Sequence, residues 1–258
     1  MSANMAMYLS EFFGTLLLVF LGDGICANVN LKKSGQHGQS AMFVIFGWGL
    51  AVAIPAMCMG NIGGASFNPV LTIALACIGN FDWALVPGYI VAQMLGGFVG
   101  AWVVYLGWKP HFDAEEDGDL VRGCFCTGPS VRNIPFNMFQ EALSTFCLVF
   151  FIVAIPAVTG TIALNFLYVA CIIWVIGYAT GGMTGFAMNP ARDTAPRIAY
   201  ATMPFKSVKN KNADWGYALV PIIGPLVGAI VGAFAAQAIV TNGLDAVGYA
   251  NALTAALA

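Results

Sequence analysis

Six apolar segments of about 20 residues run through this chain and restrict it to the membrane-protein classes. They cover residues 7–29, 41–60, 84–108, 134–157, 162–180 and 217–240. Each is long enough for a helix to cross roughly 30 Å of hydrocarbon. Only 9% of the residues are charged and 59% are hydrophobic, which leaves too little polar surface to cover a soluble globule of this length. We therefore predict an all-α membrane protein with six transmembrane helices.

Two further apolar segments, 68–78 and 189–200, are about half as long, and each opens on an Asn-Pro pair. Asn is a good helix N-cap, and Pro suits the first helical position because its missing N–H would be unpaired there anyway. Asn68-Pro69 and Asn189-Pro190 therefore predict two helix starts. The segments are too short to cross a bilayer and too apolar to lie in water, so we predict two re-entrant half-helices.

The chain repeats itself at an offset of 121 to 130 residues. Glu11 recurs as Glu141 at an offset of 130, and Asn68 recurs as Asn189 at an offset of 121. Each copy holds three spans, an odd number, so the second copy enters the membrane from the opposite side. We predict one channel domain over 1–258, with inverted halves 1–108 and 134–240 joined by the loop 109–133. In such folds the site lies near the midplane, between the repeats.

Charge inside a span is expensive, so each charged residue there calls for an interpretation. Arg192 and Asp193 follow the second Asn-Pro pair and require a partner or a watery cavity. Glu11 and Glu141 lie at matching places, and we expect them to bind the N–H groups of the loops before the half-helices; a proton relay is the alternative. Asp193 is assigned to the same supporting group. Asp23, near the end of the first span, is expected to cap the helix or face headgroups.

Metal and cofactor chemistry finds little support in the sequence. The seven cysteines are odd in number and mostly isolated within spans, so they form no visible disulfide framework. Cys124 and Cys126 lie in the central loop, but the chain holds only two histidines as further soft ligands. The acidic run that opens at Asp113 would place Cys124 where a calcium-binding loop needs a glutamate. We expect no metal, no cofactor and no catalytic group.

The string G-F-A-M-N-P-A-R-D at 185–193, the pair N-P-V at 68–70 and the inverted six-span plan resemble the aquaporin family, and in detail its aquaglyceroporin branch of glycerol facilitators. The resemblance covers nearly the whole chain and implies a homotetramer with a pore in each subunit. It assigns a central region and an outer constriction to the residues that follow. The central motifs are Asn68, Pro69, Val70, Asn189, Pro190 and Ala191, and the constriction is Trp48, Gly177, Phe186 and Arg192. Val70 replaces the usual alanine and Ser66 a common histidine, which bears on the pore width at those levels.

Glycerol has one edge of hydroxyls and one of C–H groups, so a pore for it needs a polar stripe opposite an apolar wall. Arg192 and the two asparagine amides can supply the stripe, and Trp48 and Phe186 the wall. Backbone carbonyls add acceptors, and we expect them at Gly64, Ala65, Ser66, Phe67, Gly185, Ala187 and Met188. Desolvation should exclude ions, and the two half-helix N-termini should repel cations. We predict passive diffusion of glycerol, water and other small neutral solutes.

The main alternative is a proton-coupled secondary transporter of a small polar solute. Coupling needs a titratable group on the pathway, whereas the carboxylates within the spans are expected to support loops. A structural junction protein would not need two Asn-Pro motifs with an arginine beside them. No constellation for an enzyme, and no feature for nucleic-acid binding, is present.

Membrane orientation is where two arguments conflict. The cationic residues of the first, third and fifth connections are Lys32, Lys33, Lys109, Arg122, Arg132, Lys206, Lys209 and Lys211. Counting positive charges places these connections inside and the termini outside. The family resemblance implies cytoplasmic termini in the cell membrane, and we follow it.

Overall fold

The computed structural model describes residues 1–159, 162–246 and 248. These residues form helices and loops with no β-strand. The helices, in chain order, are α1 (Ala3–Asn30), α2 (Ala41–Gly63), α3 (Pro69–Cys77), α4 (Val86–Gly107), α5 (Lys109–Asp113), α6 (Gly118–Arg122), α7 (Ile134–Thr159), α8 (Ile162–Thr184), α9 (Pro190–Thr202), α10 (Val220–Ala236) and α11 (Asn242–Ala246). A π-helical turn, Gln237–Thr241, joins the last two.

Six helices of the described chain are long and apolar enough to span a membrane, which confirms the predicted fold class. They are α1, α2, α4, α7, α8 and the continuous segment that α10 opens. The predicted half-length segments appear as α3 and α9. The order span, span, half-helix, span therefore occurs twice, as α1 to α4 and as α7 to α10. The short helices α5 and α6 lie in the predicted loop 109–133.

Both half-helices begin as the Asn-Pro pairs predict. The Asn68 side chain accepts a hydrogen bond from the N–H of Val70, and Pro69 is the first helical residue. Asn189 accepts likewise from Ala191 N–H, followed by Pro190. Each asparagine thus satisfies one of the N–H groups that a helix start leaves unpaired.

Glycines let the spans of each half approach closely. A Cβ atom built on Gly96 of α4 would lie 2.3 Å from the carbonyl oxygen of Phe12 in α1. One built on Gly228 of α10 would lie 2.0 Å from the carbonyl oxygen of Ala142 in α7. No real Cβ fits there, so these two helix pairs depend on glycine for their backbone contact.

The loops that follow α1, α4 and α9 meet on one face and are tied together by ion pairs. Lys32 Nζ lies 3.1 Å from Glu115 Oε1, and Arg132 Nη2 lies 2.7 Å from Asp214 Oδ1. Arg197 of α9 also binds these loops, because it donates hydrogen bonds to the carbonyl oxygens of Thr127 and Ala213. The cations counted for orientation are therefore used largely to hold these loops to one another.

Candidate pore and its constriction

A cavity of about 340 Å³ lies between the two halves and is walled by both half-helix starts. Apolar side chains of α2, α7 and α8 make up most of its wall, including Val52, Leu148 and Ile172. Four of the polar members belong to the half-helices and the loops before them, and the other two lie on α2 and α8. The polar members are Asn61, Ser66, Asn68, Tyr168, Asn189 and Arg192. The cavity thus has polar groups at the half-helices and a mostly apolar surface opposite them, to which Asn61 and Tyr168 add two further polar groups.

The two asparagines join the half-helices to each other. Asn68 Nδ2 donates to the carbonyl oxygen of Met188 over 2.8 Å, and Asn189 Nδ2 donates to that of Phe67, also over 2.8 Å. Each amide oxygen is already occupied by the N-cap bond of its own helix. An amide NH₂ group has two donors. One N–H of each asparagine therefore remains for a molecule in the cavity.

The loops before the half-helices hold an unusual backbone conformation. Ala65 and Phe67 have φ of 53° and 48°, and Phe186 and Met188 have φ of 39° and 52°. Left-handed conformations of bulky residues are strained and persist only when the surroundings hold them. The same conformation recurs in both halves, so it belongs to the repeated unit rather than to one loop.

Two buried carboxylates hold these loops. Glu11 accepts the N–H groups of Ser66 and Phe67, at 2.9 and 2.7 Å. Glu141 accepts those of Ala187 and Met188, at 3.0 and 2.9 Å. A buried N–H without a partner costs about 1–3 kcal/mol, so the four bonds offset much of the loop strain.

The two carboxylates differ in their side-chain partners, which sequence reasoning missed. In the first half Gln93 of α4 donates to Glu11 over 2.7 Å and to Thr72 over 2.9 Å. In the second half Thr184, the last residue of α8, donates to Glu141. Tyr89 recurs as Tyr217 at an offset of 128, and the same offset places Pro221, whose side chain cannot donate, at the position equivalent to Gln93. The exchange of partners between helices follows from that proline.

The predicted constriction residues lie close to one another. The guanidinium of Arg192 stacks over the ring of Trp48, with its carbon 3.9 Å from the ring centre. Trp48 Nε1 donates to the sulfur of Cys26 over 3.4 Å. Phe186 lies in the cavity wall, and a Cβ on Gly177 would reach its ring at 3.3 Å. Gly177 itself is not among the residues that wall the cavity.

Asp193 and Arg197 form a fully buried pair beneath the constriction. Arg197 Nε and Nη2 donate to the two oxygens of Asp193, at 2.9 and 3.0 Å. The same guanidinium donates to the carbonyl oxygens of Thr127 and Ala213, over 2.9 and 2.6 Å. Asp193 also accepts from Thr127 N–H. The pair therefore fastens two of the ion-paired loops to the start of α9.

Some predicted positions lie elsewhere. Among the residues that wall the cavity, Val70 is absent: its side chain packs with Val149, Ala229 and Ala233 in a buried cluster. Ser66 does lie in the wall. Of the predicted carbonyl positions, Phe67 and Gly185 also lie outside it. The replacement of alanine by Val70 therefore acts on the packing of α3, whereas Ser66 acts on the pore surface.

Asp23 does not face headgroups, and that expectation was wrong. Its side chain is completely buried, and its Oδ1 lies 3.5 Å from Arg192 Nη1. The helix continues for seven residues beyond it, to Asn30. Asp23 was misread because its partner lies on α9, far away in the sequence.

Comparison with known proteins places this architecture in a family. Residues 1–236 match the family described as major intrinsic protein. The chain belongs to this family. It is 48% identical over 229 residues to a Thermotoga maritima protein described as a probable glycerol uptake facilitator protein, covering 89% of this chain and 97% of that one. A glycerol uptake facilitator protein of Bacillus subtilis is 46% identical over 228 residues, covering 88% and 82%.

Other similar members differ in what they are described as carrying or in how distant they are. A D/L-lactic acid transporter of Lactiplantibacillus plantarum is 38% identical over 233 residues, covering 88% of this chain and 94% of that one. The solved aquaglyceroporin of Plasmodium falciparum superposes with a TM-score of 0.82 at 29% identity, covering 94% and 99%. This major intrinsic protein is thus a multi-pass membrane protein of a channel family, not an enzyme.

Proposed function

We propose that this chain is a passive channel for glycerol, other small neutral solutes and water in the cell membrane, and that it excludes ions and protons. The observation that carries the proposal is the two-sided cavity, in which Arg192 and the free N–H groups of Asn68 and Asn189 face an apolar wall that includes Phe186. A polyol can present its hydroxyls to the donors and its C–H edge to the wall. A charged solute would lose its hydration shell without replacement.

Proton exclusion follows from the same amides. Each asparagine has one N–H left, because its other N–H and its oxygen are bound within the protein. A central water that accepts from both amides has its oxygen lone pairs occupied, so it cannot accept a proton from a neighbouring water. The half-helix N-termini add partial positive charges of about +0.5 each at this level, which raises the barrier for a cation.

Proteoliposomes test the function by stopped-flow light scattering with water, glycerol, urea, lactic acid and sorbitol. Two variants of α7 form a matched pair: Leu148 lies in the cavity wall, whereas Leu143 is 44% exposed on the outside of the helix. Leu148→Trp should reduce glycerol flux severalfold, while Leu143→Trp should leave it at the parent level. An equal glycerol flux through Leu148→Trp and Leu143→Trp would contradict the assignment of this cavity as the pathway. So would a flux through the parent protein no higher than that of protein-free liposomes.

A second measurement separates a channel from the coupled alternative. A channel only equilibrates glycerol, so a pH gradient imposed at equal glycerol concentrations should cause no net uptake. A proton-coupled transporter would accumulate glycerol until the gradient is spent. Accumulation above the outside concentration would refute the passive mechanism.

We further propose a homotetramer with cytoplasmic termini. The family resemblance supports both, and the ion pairs of the outer loops give their cations a structural use. Native mass spectrometry of the detergent-solubilised protein should give the mass of four chains. A protease-sensitive tag placed after Ala258 should stay intact in whole cells; its cleavage would reverse the orientation.

A further inference from the structure

The carboxyl group of Asp23 lies behind the constriction rather than in its wall. Its side chain has no exposed surface, and neither oxygen has a hydrogen-bond partner among the described residues. Arg192 Nη1 lies 3.5 Å from Oδ1, and it is the cation paired with this carboxylate. A buried carboxylate is costly unless something compensates its charge, and among the described residues the constriction arginine is the cation that does so.

The segment around Asp23 also shapes the other side of the constriction. A Cβ on Gly22 would lie 2.2 Å from the six-membered ring of Trp48, so the indole packs directly on this turn of α1. Cys26, one turn later, accepts the indole N–H. The guanidinium of Arg192 stacks on the ring of the same Trp48. One turn of α1 therefore contacts both the aromatic and the cationic member of the constriction.

The other buried charges near Arg192 are paired among themselves. Asp193 gives both oxygens to Arg197 and to Thr127, and Arg197 completes its bonds with loop carbonyls. Arg192 is instead paired with Asp23. An arginine cannot lose its proton in a protein, so an uncompensated buried Arg192 would cost more than an ion pair.

We propose that Asp23 is the ionised counter-ion of Arg192, that it positions the guanidinium on Trp48, and that it keeps the constriction close to zero net charge. This inference rests on the proposed channel function. It changes the account of selectivity, because the constriction then rejects both signs of ion through desolvation instead of repelling cations with an uncompensated charge. Asp23 is a positioning residue, since it acts through Arg192 and lies outside the wall.

A charge cycle tests the proposal. Asp23→Asn keeps the shape but leaves a net positive constriction, and Arg192→Gln leaves a net negative one. The double variant Asp23→Asn/Arg192→Gln is neutral again. Asp82→Asn is the matched control, because Asp82 is exposed and only its Oδ1 accepts, from Ala84 N–H, a role that asparagine can keep. Nitrate and potassium permeabilities are measured in proteoliposomes and divided by the water permeability of the same preparation.

We expect Asp23→Asn to raise the nitrate-to-water ratio on the order of tenfold, because the field of one charge at close range is only partly screened inside the protein. Arg192→Gln should raise the potassium-to-water ratio, and the double variant should return both ratios toward the parent. A purely structural role for Asp23 would change the amount of active protein and leave these ratios unchanged.

The proposal is overturned if Asp23→Asn gives the same nitrate ratio as Asp82→Asn. If Asp23→Asn alone does not insert, the comparison of Arg192→Gln with the double variant decides, since a potassium leak that persists in the double variant refutes the counter-ion role. Failure of the channel function is distinguishable from this result, because it would appear as absent water and glycerol flux in the parent protein.

Discussion

Solute size at the constriction should depend on Gly177 and Phe186 together, and the structure adds Ile45 as a third participant. A Cβ on Gly177 would lie 3.3 Å from Phe186 Cζ but only 2.7 Å from Ile45 Cγ2. Gly177→His therefore meets two obstacles, and Phe186→Cys removes one of them. Ile45→Ala removes the other, because it deletes the atoms that the new side chain would strike.

The triple variant Ile45→Ala/Gly177→His/Phe186→Cys should admit an imidazole beside the pathway and remove the apolar wall. About 2 kcal/mol added to the barrier for glycerol, through the lost room and the lost apolar wall, slows its passage roughly thirtyfold. Water needs only a narrow opening with hydrogen-bonding groups, so its permeability should stay near the parent value.

The assay is the glycerol-to-water permeability ratio in liposomes with equal protein, with Ile45→Ala alone as the control. That control should keep the parent ratio, because it opens space beside Gly177 without placing a group in the pathway. An unchanged ratio in a triple variant that inserts normally would show that solute size is set elsewhere, and Ser66 in the cavity wall would be the next position to test.

Three further predictions concern stability. Glu141→Gln should lower the thermal midpoint and the glycerol flux, because its amide faces a backbone N–H and leaves it unpaired at about 1–3 kcal/mol; an unchanged midpoint would contradict this. Gly228→Ala should destabilise strongly, whereas Gly107→Ala, with nothing within 4 Å of its Cβ, should be neutral or slightly stabilising in the same melt. Hydrogen bonding from Arg132 lowers the pKa of Asp214, so this carboxylate stabilises the folded chain above about pH 4 and loses that contribution as the pH falls further. Arg132→Gln should therefore have a lower thermal midpoint than the parent at pH 6, and the difference between the two midpoints should shrink at pH 3.

The sequence predicts the elements of this fold well because membrane spans and helix starts are local signals. Span length follows from hydrophobic thickness, and each Asn-Pro pair encodes its own N-cap and first helical residue. The inverted order follows from counting spans in each repeat. Glu11 could be assigned to a loop because an equivalent carboxylate recurs at Glu141.

Tertiary partners could not be predicted in the same way. Gln93 supports Glu11 from another helix, and nothing in an apolar span marks which residue will face a carboxylate 82 positions away. Asp23 was misread for the same reason, since its partner Arg192 lies in the other half. Val70 was placed at the pore because its motif lies there, whereas the periodicity of a half-helix buries that side chain against α7 and α10.

The reciprocal bonds of Asn68 and Asn189 have a consequence for biosynthesis. The acceptor of Asn68 lies 120 residues further along the chain. At about 5–20 residues per second, the ribosome delivers it roughly 6 to 24 seconds after Asn68 is made. During that interval the N-cap bond of Asn68 can form, but its amide N–H lacks the Met188 carbonyl and the Phe67 carbonyl lacks the Asn189 amide. Newly made chains must therefore keep these polar groups of the first half away from lipid until the loop before the second half-helix is made.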